Sequence, residues 1–392
     1  MSSPDFSDEV LKAVAAGQKP WRGLPNACYL TDEAMDAEYR QLVAPGWYCI
    51  GFSDQLEMPG DILTAGIFGR PFIVVRQKNA GLKCFHNVCR HRGVRLVPEN
   101  CRTNGRIVCP YHAWTYGLDG KLLRTPNAGG PDNHRCADLQ KSGLGLFEVQ
   151  VAEWLGMVFV NVDGSAEPFE TFIAPLLDRW QDYPMNSFVM ARDTTAAPIE
   201  IRANWKLAVE NYLESYHLPM VHPSLNSYSR LQDHYHIINE ASILFGQGVT
   251  AYQASAPLPR NSTMPPAEMK MAEYVYLLPN LLVGIQSDHF FAMRLEALNP
   301  ARTREEVRIW FIDDAAIDPV QAEERQACLD RWMSVFAEDI MPVEAMQAGR
   351  LSPAYDGGAF STDMDGVTHA FHRWAARKLL GTDTSQQTEA IG

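Results

Sequence analysis

Two short Cys/His pairs constrain this chain more than any other feature in it. Residues 84–117 read CFHNVCRHRGVRLVPENCRTNGRIVCPYHAWTYG, which contains Cys89-x-His91, seventeen intervening residues, and Cys109-x-x-His112. Each pair sits in a hairpin-like loop, and two loops that each deliver two donors make a metal site. Tetrahedral zinc is one occupant that Cys and His suit. Zinc modules usually group Cys with Cys and His with His, however, whereas here each loop offers one of each. That mixture fits an asymmetric 2Fe–2S cluster, with Cys89 and Cys109 on one iron and His91 and His112 on the other. The remaining cysteines, Cys28, Cys49, Cys84, Cys101, Cys136 and Cys328, lack such spacing and read as buried thiols.

The surrounding texture divides the chain. Residues 7–44 carry helical spacing, as in Val10 and Val14, then Met35, Tyr39 and Leu42. From 45 to 162 the pattern becomes short β-type runs, such as Ile62–Ile67, Pro71–Arg76 and Met157–Val162, broken by turns at Gly69 and Asp119-Gly120. From 163 to 392 helices and strands mix. Helices are expected over Phe169–Trp180, within Ile199–His217, around Leu329, Trp332, Met333 and Phe336, and over Gly366–Leu380. Strand pairs are expected at Tyr274–Ile285 and Phe290–Asp313, and Ala254–Pro266 reads as a Pro-rich surface loop. This order predicts an α+β protein: a 1–44 helical segment packing on the catalytic domain, a 45–162 β-rich module, and a larger 163–392 α+β domain.

A second constellation lies in NWKLAVENYLESYHLPMVHP, residues 204–223. Leu207, Asn211, Glu214 and His217 fall three or four apart, on one face of a helix. Pro219 is expected to end that helix, after which His222 returns from a short extended stretch. Two histidines and a carboxylate with open positions suit non-haem Fe(II) that activates O₂. By itself His-x4-His is weak, and its weight comes from the metal-type loops upstream.

Composition removes other classes. With 34 Lys plus Arg against 47 Asp plus Glu, a formal charge of −13, the chain makes a poor partner for nucleic acid or anionic membrane. At 46% hydrophobic and 10% aromatic residues it has the material for a large core. The Met1-Ser2-Ser3-Pro4-Asp5 start has no basic and apolar signal-like run, and apolar stretches such as Trp154–Val160 fall far short of the ~20 residues that span a bilayer. The expectation is a cytoplasmic protein. No GxGxxG, Walker A loop or GxSxG elbow is present, so no flavin, nicotinamide or serine-hydrolase site is visible. His234 and His236 read as exposed, His86 as a satisfied loop histidine, and His369 and His372 as packing or surface residues.

The first motif, with CPYHAWTYGLDGKL, resembles the Rieske domain of the non-haem iron ring-hydroxylating oxygenases. Respiratory Rieske proteins carry an extra disulfide, and the corresponding places here hold Val94 and Tyr111. ENYLESYHLPMVH is similar to the iron-binding helix of the same oxygenases, so the resemblance covers nearly the whole chain. It implies a helix-grip catalytic domain with His217 and His222 as iron ligands. It also places the third ligand at Asp339 within SVFAEDIMPVEAMQAG, where spacing alone leaves Glu338 as the one-residue alternative.

The resemblance further implies a homotrimer in which the cluster of one subunit serves the iron of its neighbour. A separate NAD(P)H-dependent flavin/2Fe–2S reductase would supply electrons. Glu214 stands where most relatives place an Asp that bridges the Rieske His of one subunit to an iron-bound His of the next. Either this Glu is neutral drift or it marks the quaternary-ammonium subgroup, to which ENYxExYH is similar. The second option implies a monooxygenase that oxidises a C–H bond beside a quaternary nitrogen, as in N-demethylation of a betaine-like compound. The alternative is hydroxylation or cis-dihydroxylation of an aromatic ring. An electron carrier or zinc-stabilised binding protein is the reading from another class, and iron content separates it from an oxygenase.

Overall fold

Short apolar runs punctuated by left-handed turns become strands throughout residues 48–161. Ile67 pairs with Arg70 across Phe68-Gly69, and Trp154 pairs with Met157 across Leu155-Gly156. All four turn residues have φ near +50° to +79°, the two-residue geometry whose twist matches that of the flanking strands. The computed structural model describes residues 8–139, 143–240, 244–252, 258, 270–355 and 357–381. By contacts the chain separates into two units, Pro45–Ala166 on one side and, on the other, the segment up to Ala44 with everything from Glu167 onward.

The 45–166 unit holds a seven-stranded antiparallel sheet. Its order is Tyr48–Phe52, Met157–Asn161, Glu148–Trp154, Leu82–His86, Arg70–Arg76, Asp61–Ile67 and Cys101–Arg102. A second sheet joins Arg106–Val108, Thr115–Gly117 and Leu122–Arg124. Ile73, Phe85, Leu96, Trp114 and Tyr116 form a core that also encloses Cys89 and Cys109. His86 ends a strand, half-buried beside the Phe72 and Phe147 rings. Cys101 is exposed and Cys136 partly so, which corrects the reading of both as buried thiols: Cys101 lies on a two-residue strand at the sheet edge, and Cys136 in a loop.

The other unit is built on a second antiparallel sheet. Its path runs Phe188–Met190, Arg302–Ile312, His289–Asn299, Leu281–Ile285, Ala272–Leu277, Leu244–Val249 and His234–Asn239, with Ile199–Ile201 paired to Arg302–Ile312 off that path. Several central strands are buried at every residue, as expected where a sheet is covered on both faces. The helices of this unit include Phe169–Arg179, Trp205–Tyr212, Ala322–Gly349 and Gly366–Leu379. The Pro-rich stretch 254–266 lies, Leu258 aside, outside the described residues. No helix among the described residues is long and apolar enough to cross a membrane.

The N-terminal segment packs on the C-terminal helix of its own unit. Trp21 stacks on His369 with centroids 4.2 Å apart, and the Leu24 N–H donates to His372 Nδ1 at 2.8 Å. Both histidines are buried packing residues.

Helix Trp205–Tyr212 begins at Asn204, whose side chain accepts the Lys206 N–H. Its underside carries charge into the interior. Lys206 Nζ lies 2.5 Å from Glu38 Oε1 and 2.8 Å from Asn204 Oδ1, and both Lys206 and Glu38 are fully buried. Trp205 Nε1 donates to the other Glu38 oxygen at 2.9 Å. Glu210 accepts from the Tyr29 hydroxyl and faces Arg350 and His372. Burial pushes the Glu210 pKa up, but His372 and Arg350, with the Tyr29 hydrogen bond, hold it at about 2. Removing one member of a buried pair strands the other charge. Lys206→Met is therefore expected to cost about 3–5 kcal/mol, read as a lower denaturation midpoint. Lys206→Met combined with Glu38→Gln should recover much of that loss; a double variant no more stable than the single would count against the pairing.

Candidate metal centres

Two loops in the 45–166 unit repeat one backbone design. Cys89 N–H donates to Val94 O and Gly93 N–H to Cys89 O; Cys109 N–H donates to Trp114 O and Ala113 N–H to Cys109 O, all at 2.8–3.1 Å. The residue four past each cysteine is left-handed, Gly93 at φ 72° and Ala113 at φ 55°. These turns bring the four donor residues together. The His91 and His112 rings lie 4.7 Å apart, and His91 stacks on Trp114 at 4.8 Å. The thiols are buried and close enough to hydrogen-bond, and burial pushes the Cys109 pKa up.

His112 Nδ1 is buried with no hydrogen-bond partner. Such an orphaned atom is costly unless something else occupies its lone pair, and a metal does so. Tyr116 accepts the Arg90 N–H at 3.0 Å and so turns its own O–H toward Cys89 Sγ, 3.3 Å away. Burial and the neighbouring Cys89 push this phenol's pKa up, which keeps it a donor. The donor set and the orphaned nitrogen fit a 2Fe–2S cluster with mixed Cys/His ligation.

The second centre lies where helix Trp205–Tyr212 stops. Continuous helix to His217 was expected; the structure ends it at Tyr212 and leaves Glu214 outside. The Glu214 carboxylate accepts the backbone N–H groups of Tyr216 and His217, which would otherwise continue the helix. Gln247 Nε2 donates to the carbonyls of Tyr212 and Glu214 at 2.9 and 3.1 Å. A new turn starts at Leu218 rather than ending there, because Pro219 lies in its first turn, where no N–H is needed. His222 follows from this helical turn, not from an extended stretch.

This path brings both imidazoles to one point. His217, His222 and Asp339 each offer a ligand atom within 4.8 Å of the others. His222 Nε2 and His217 Nε2 lie 2.9 and 3.6 Å from Asp339 Oδ1. The opposite nitrogens are held by other carboxylates: His217 Nδ1 lies 2.6 Å from Glu214 Oε1, and His222 Nδ1 lies 2.7 Å from Glu338 Oε2. Glu338 and Asp339 thus meet different edges of the same ring. Asn211 Nδ2 donates to Asp339 Oδ1 at 3.0 Å. Pro342 lacks the N–H that would bond Glu338 O, so the long helix is one hydrogen bond short at the turn bearing both acids. Burial lowers the His222 pKa, yet Asp339 and Glu338 outweigh it and raise the value above 6.5. This is the donor set of a two-histidine, one-carboxylate cation site, with each ring oriented by a carboxylate behind it.

A cavity opens beside these groups. Tyr212, Tyr274, Trp332 and Phe336 supply aromatic surface, and no lysine or arginine lines it among the described residues. Trp332 lies two helical turns before Asp339. Its Nε1 donates to His289 Nε2 at 2.7 Å, and His289 Nδ1 faces Asp288 at 2.7 Å. His234, read as exposed, instead lines the cavity: Gln247 and Ser229 hold its two nitrogens, and burial lowers its pKa. Gln247 and His289 escaped the sequence reading altogether, and Trp332 entered it only through the apolar spacing of its helix. The Gly246-Gln247-Gly248 triplet inside a buried strand was the available signal for the first.

Comparison with known proteins decides the family. The Rieske [2Fe-2S] domain pattern matches residues 46–142, and the ring hydroxylating alpha subunit (catalytic domain) pattern matches 188–381. The chain belongs to the Rieske non-haem iron ring-hydroxylating oxygenase α-subunit family. Its two domains imply a Rieske cluster and a mononuclear iron. The oxygenase is 27% identical to the carnitine monooxygenase oxygenase subunit of Escherichia coli strain K12, over 93% of each chain. It is 30% identical to the Acinetobacter pittii protein of that name, over 55% of this chain and 57% of the relative. With the glycine betaine monooxygenase oxygenase subunit of Chromohalobacter salexigens it shares 36% over 52% of this chain and 43% of the relative. The matched regions thus span about half the length of the latter two relatives.

Among solved structures, the quaternary ammonium Rieske monooxygenase CntA superposes with TM-score 0.76 at 22% identity, covering 96% of this chain and 99% of that one. Naphthalene 1,2-dioxygenase from Rhodococcus sp. superposes with 0.72 at 18%, covering 96% and 98%. Both likenesses bear on the fold.

Proposed function

We propose that this oxygenase hydroxylates a C–H bond beside a quaternary nitrogen, with Cys89, His91, Cys109 and His112 holding the cluster and His217, His222 and Asp339 the iron. The observation that carries the substrate class is the cavity next to Asp339, walled by aromatic rings and free of lysine and arginine among the described residues. A trimethylammonium group is attracted by aromatic faces and repelled by cations. Relatives named for carnitine and glycine betaine support the same reading. When bound, the metals supply O₂ activation and one-electron transfer. The side chains orient both imidazoles through Glu214 and Glu338 and hold Asp339 through Asn211. For an N-methyl substrate the balance is R₃N⁺–CH₃ + O₂ + 2e⁻ + 2H⁺ giving R₃N⁺–CH₂OH + H₂O. The product then collapses to R₃N, formaldehyde and H⁺.

Electrons come in this proposal from a separate NAD(P)H-dependent flavin/2Fe–2S reductase. The working assembly is a homotrimer, in which Glu214 bridges His217 to a cluster histidine of the neighbouring subunit. The test is a single turnover: iron-loaded, chemically reduced protein is exposed to O₂ with betaines, carnitine-like compounds and aromatic acids. Formaldehyde or an oxidised amine from the ammonium set supports the proposal, and an oxygenated ring in its place refutes the substrate class.

Trp332 provides a second check. Trp332→Leu is expected to raise KM for a trimethylammonium substrate ~2–30-fold, the value of a lost cation–π contact, with a smaller effect on kcat. Binding of a neutral tert-butyl analogue should change little. Equal losses for both compounds would mean that Trp332 acts through shape and not through its π face.

A further inference from the structure

The break in the chain between Tyr212 and His217 has two halves. In a continuous helix the Tyr216 N–H would bond the Tyr212 carbonyl. Here the donor half goes to the Glu214 carboxylate and the acceptor half to Gln247 Nε2. The same carboxamide also reaches Glu214 O at 3.1 Å, inside the break itself. One hydrogen bond of the helix is thus replaced by two side chains, one local and one from a strand more than thirty residues away.

The carboxamide has no freedom to turn over. His234 Nδ1 lies 3.0 Å from Gln247 Oε1 and His234 Nε2 lies 3.1 Å from Ser229 Oγ. With two carbonyls against Gln247 Nε2, Oε1 is the end that faces His234, whose Nδ1–H donates to it. Gln247 Oε1 accepts and Nε2 spends both hydrogens on backbone carbonyls. The glycines on either side of Gln247 have close neighbours of their own on the flanking strands. A Cβ at Gly246 would sit 2.3 Å from Tyr274 O, and one at Gly248 would sit 2.3 Å from the Tyr235 ring. Gln247 itself is buried, and carbonyls left unpaired in such a place are costly.

We infer that Gln247 is a positioning residue for the iron site: by taking the carbonyls of Tyr212 and Glu214 it keeps the helix broken and the Glu214 carboxylate on His217 Nδ1. The inference rests on the reading of Glu214 as the bridge and His217 as an iron ligand. Gln247→Met keeps the length of the side chain and removes all three of its hydrogen bonds. Gln247→Glu keeps the acceptor for His234 and sets a carboxylate against two carbonyls.

The experiment uses the full-length, cluster- and iron-loaded protein. Wild type is compared with Gln247→Met, Gln247→Glu, Glu214→Gln, and Gln247→Met combined with Glu214→Gln. Three quantities are read: reoxidation of the reduced cluster in a single turnover, the electron paramagnetic resonance spectrum of the ferrous site probed with nitric oxide, and, as controls, the visible cluster spectrum together with circular dichroism and the thermal midpoint of the protein. Each Gln247 variant is expected to reoxidise about tenfold more slowly and to show an altered nitric oxide spectrum, with the cluster spectrum intact. The double variant should be no slower than the slower single, within about twofold, because both changes act on one carboxylate. A native rate and spectrum in both Gln247 variants, with Glu214→Gln slow, overturns the inference and leaves the reading of Glu214 standing. Multiplied losses in the double variant also overturn it, since Gln247 would then act independently. A native rate in Glu214→Gln removes the bridge reading, and the inference falls with it.

Discussion

Replacing His217 with alanine is expected to abolish turnover and to lower iron from about three atoms per chain to about two. The expectation follows from the donor geometry. Ligand atoms of His217, His222 and Asp339 fall within 4.8 Å, and among the described residues no fourth His, Cys, Asp or Glu joins them in that grouping. Losing one of three protein donors leaves a two-ligand site. The variant removes the ring but not the backbone N–H at position 217, so the Glu214 carboxylate keeps its hold on the turn. The visible absorption of the cluster should persist, because Cys89 and Cys109 sit in their own hydrophobic core within the other unit. Iron analysis, the visible spectrum and formaldehyde release in single turnover read these outcomes together. Loss of the cluster along with the third iron would contradict the assignment of two independent sites. Turnover at the wild-type rate would remove His217 from the chemistry.

The parts of this oxygenase that were legible in its sequence are those carried by local spacing. Cys89-x-His91 and Cys109-x-x-His112 announce two loops, because a turn that presents two donors needs them within a few residues. Strands at 272–277, 281–285, 289–299 and 302–312 were visible as apolar runs between turns. The break after Tyr212 was not. Leu207, Asn211, Glu214 and His217 keep helical spacing through it, and periodicity cannot register that a carboxylate has taken the N–H groups and Gln247 the carbonyls. His234 was misread for a related reason: its neighbours in sequence are polar, while its neighbours in space are Gln247, Ser229 and the cavity. Glu338 and Asp339 were inseparable by spacing alone. What distinguishes them is the edge of the His222 ring that each meets, which depends on where a distant helix places its turn.

Glu214→Gln is expected to slow electron transfer from cluster to iron by about 10–100-fold while both metals stay bound. The amide oxygen can still accept the Tyr216 and His217 N–H groups, so the turn survives. What is lost is the charge. Glu214 Oε1 lies 2.6 Å from His217 Nδ1, and a hydrogen bond to a carboxylate is roughly twice as strong as one between neutral groups. A neutral amide orients the ring less firmly and draws less electron density onto the imidazole. It also meets a second histidine, across the proposed subunit boundary, with one acceptor where the carboxylate has two. Glu214→Asp asks a different question, since it keeps the charge and shortens the arm by one methylene. The shorter arm cannot hold both backbone N–H groups and the His217 ring as they stand, so its rate should fall between those of wild type and Glu214→Gln. The decisive measurement is stopped-flow reoxidation of the reduced cluster, with iron content determined on the same samples. Unchanged reoxidation in Glu214→Gln would strip Glu214 of the bridging role and leave it as the cap that breaks the helix. A rate in Glu214→Asp below that of Glu214→Gln would mean that reach, more than charge, sets the path.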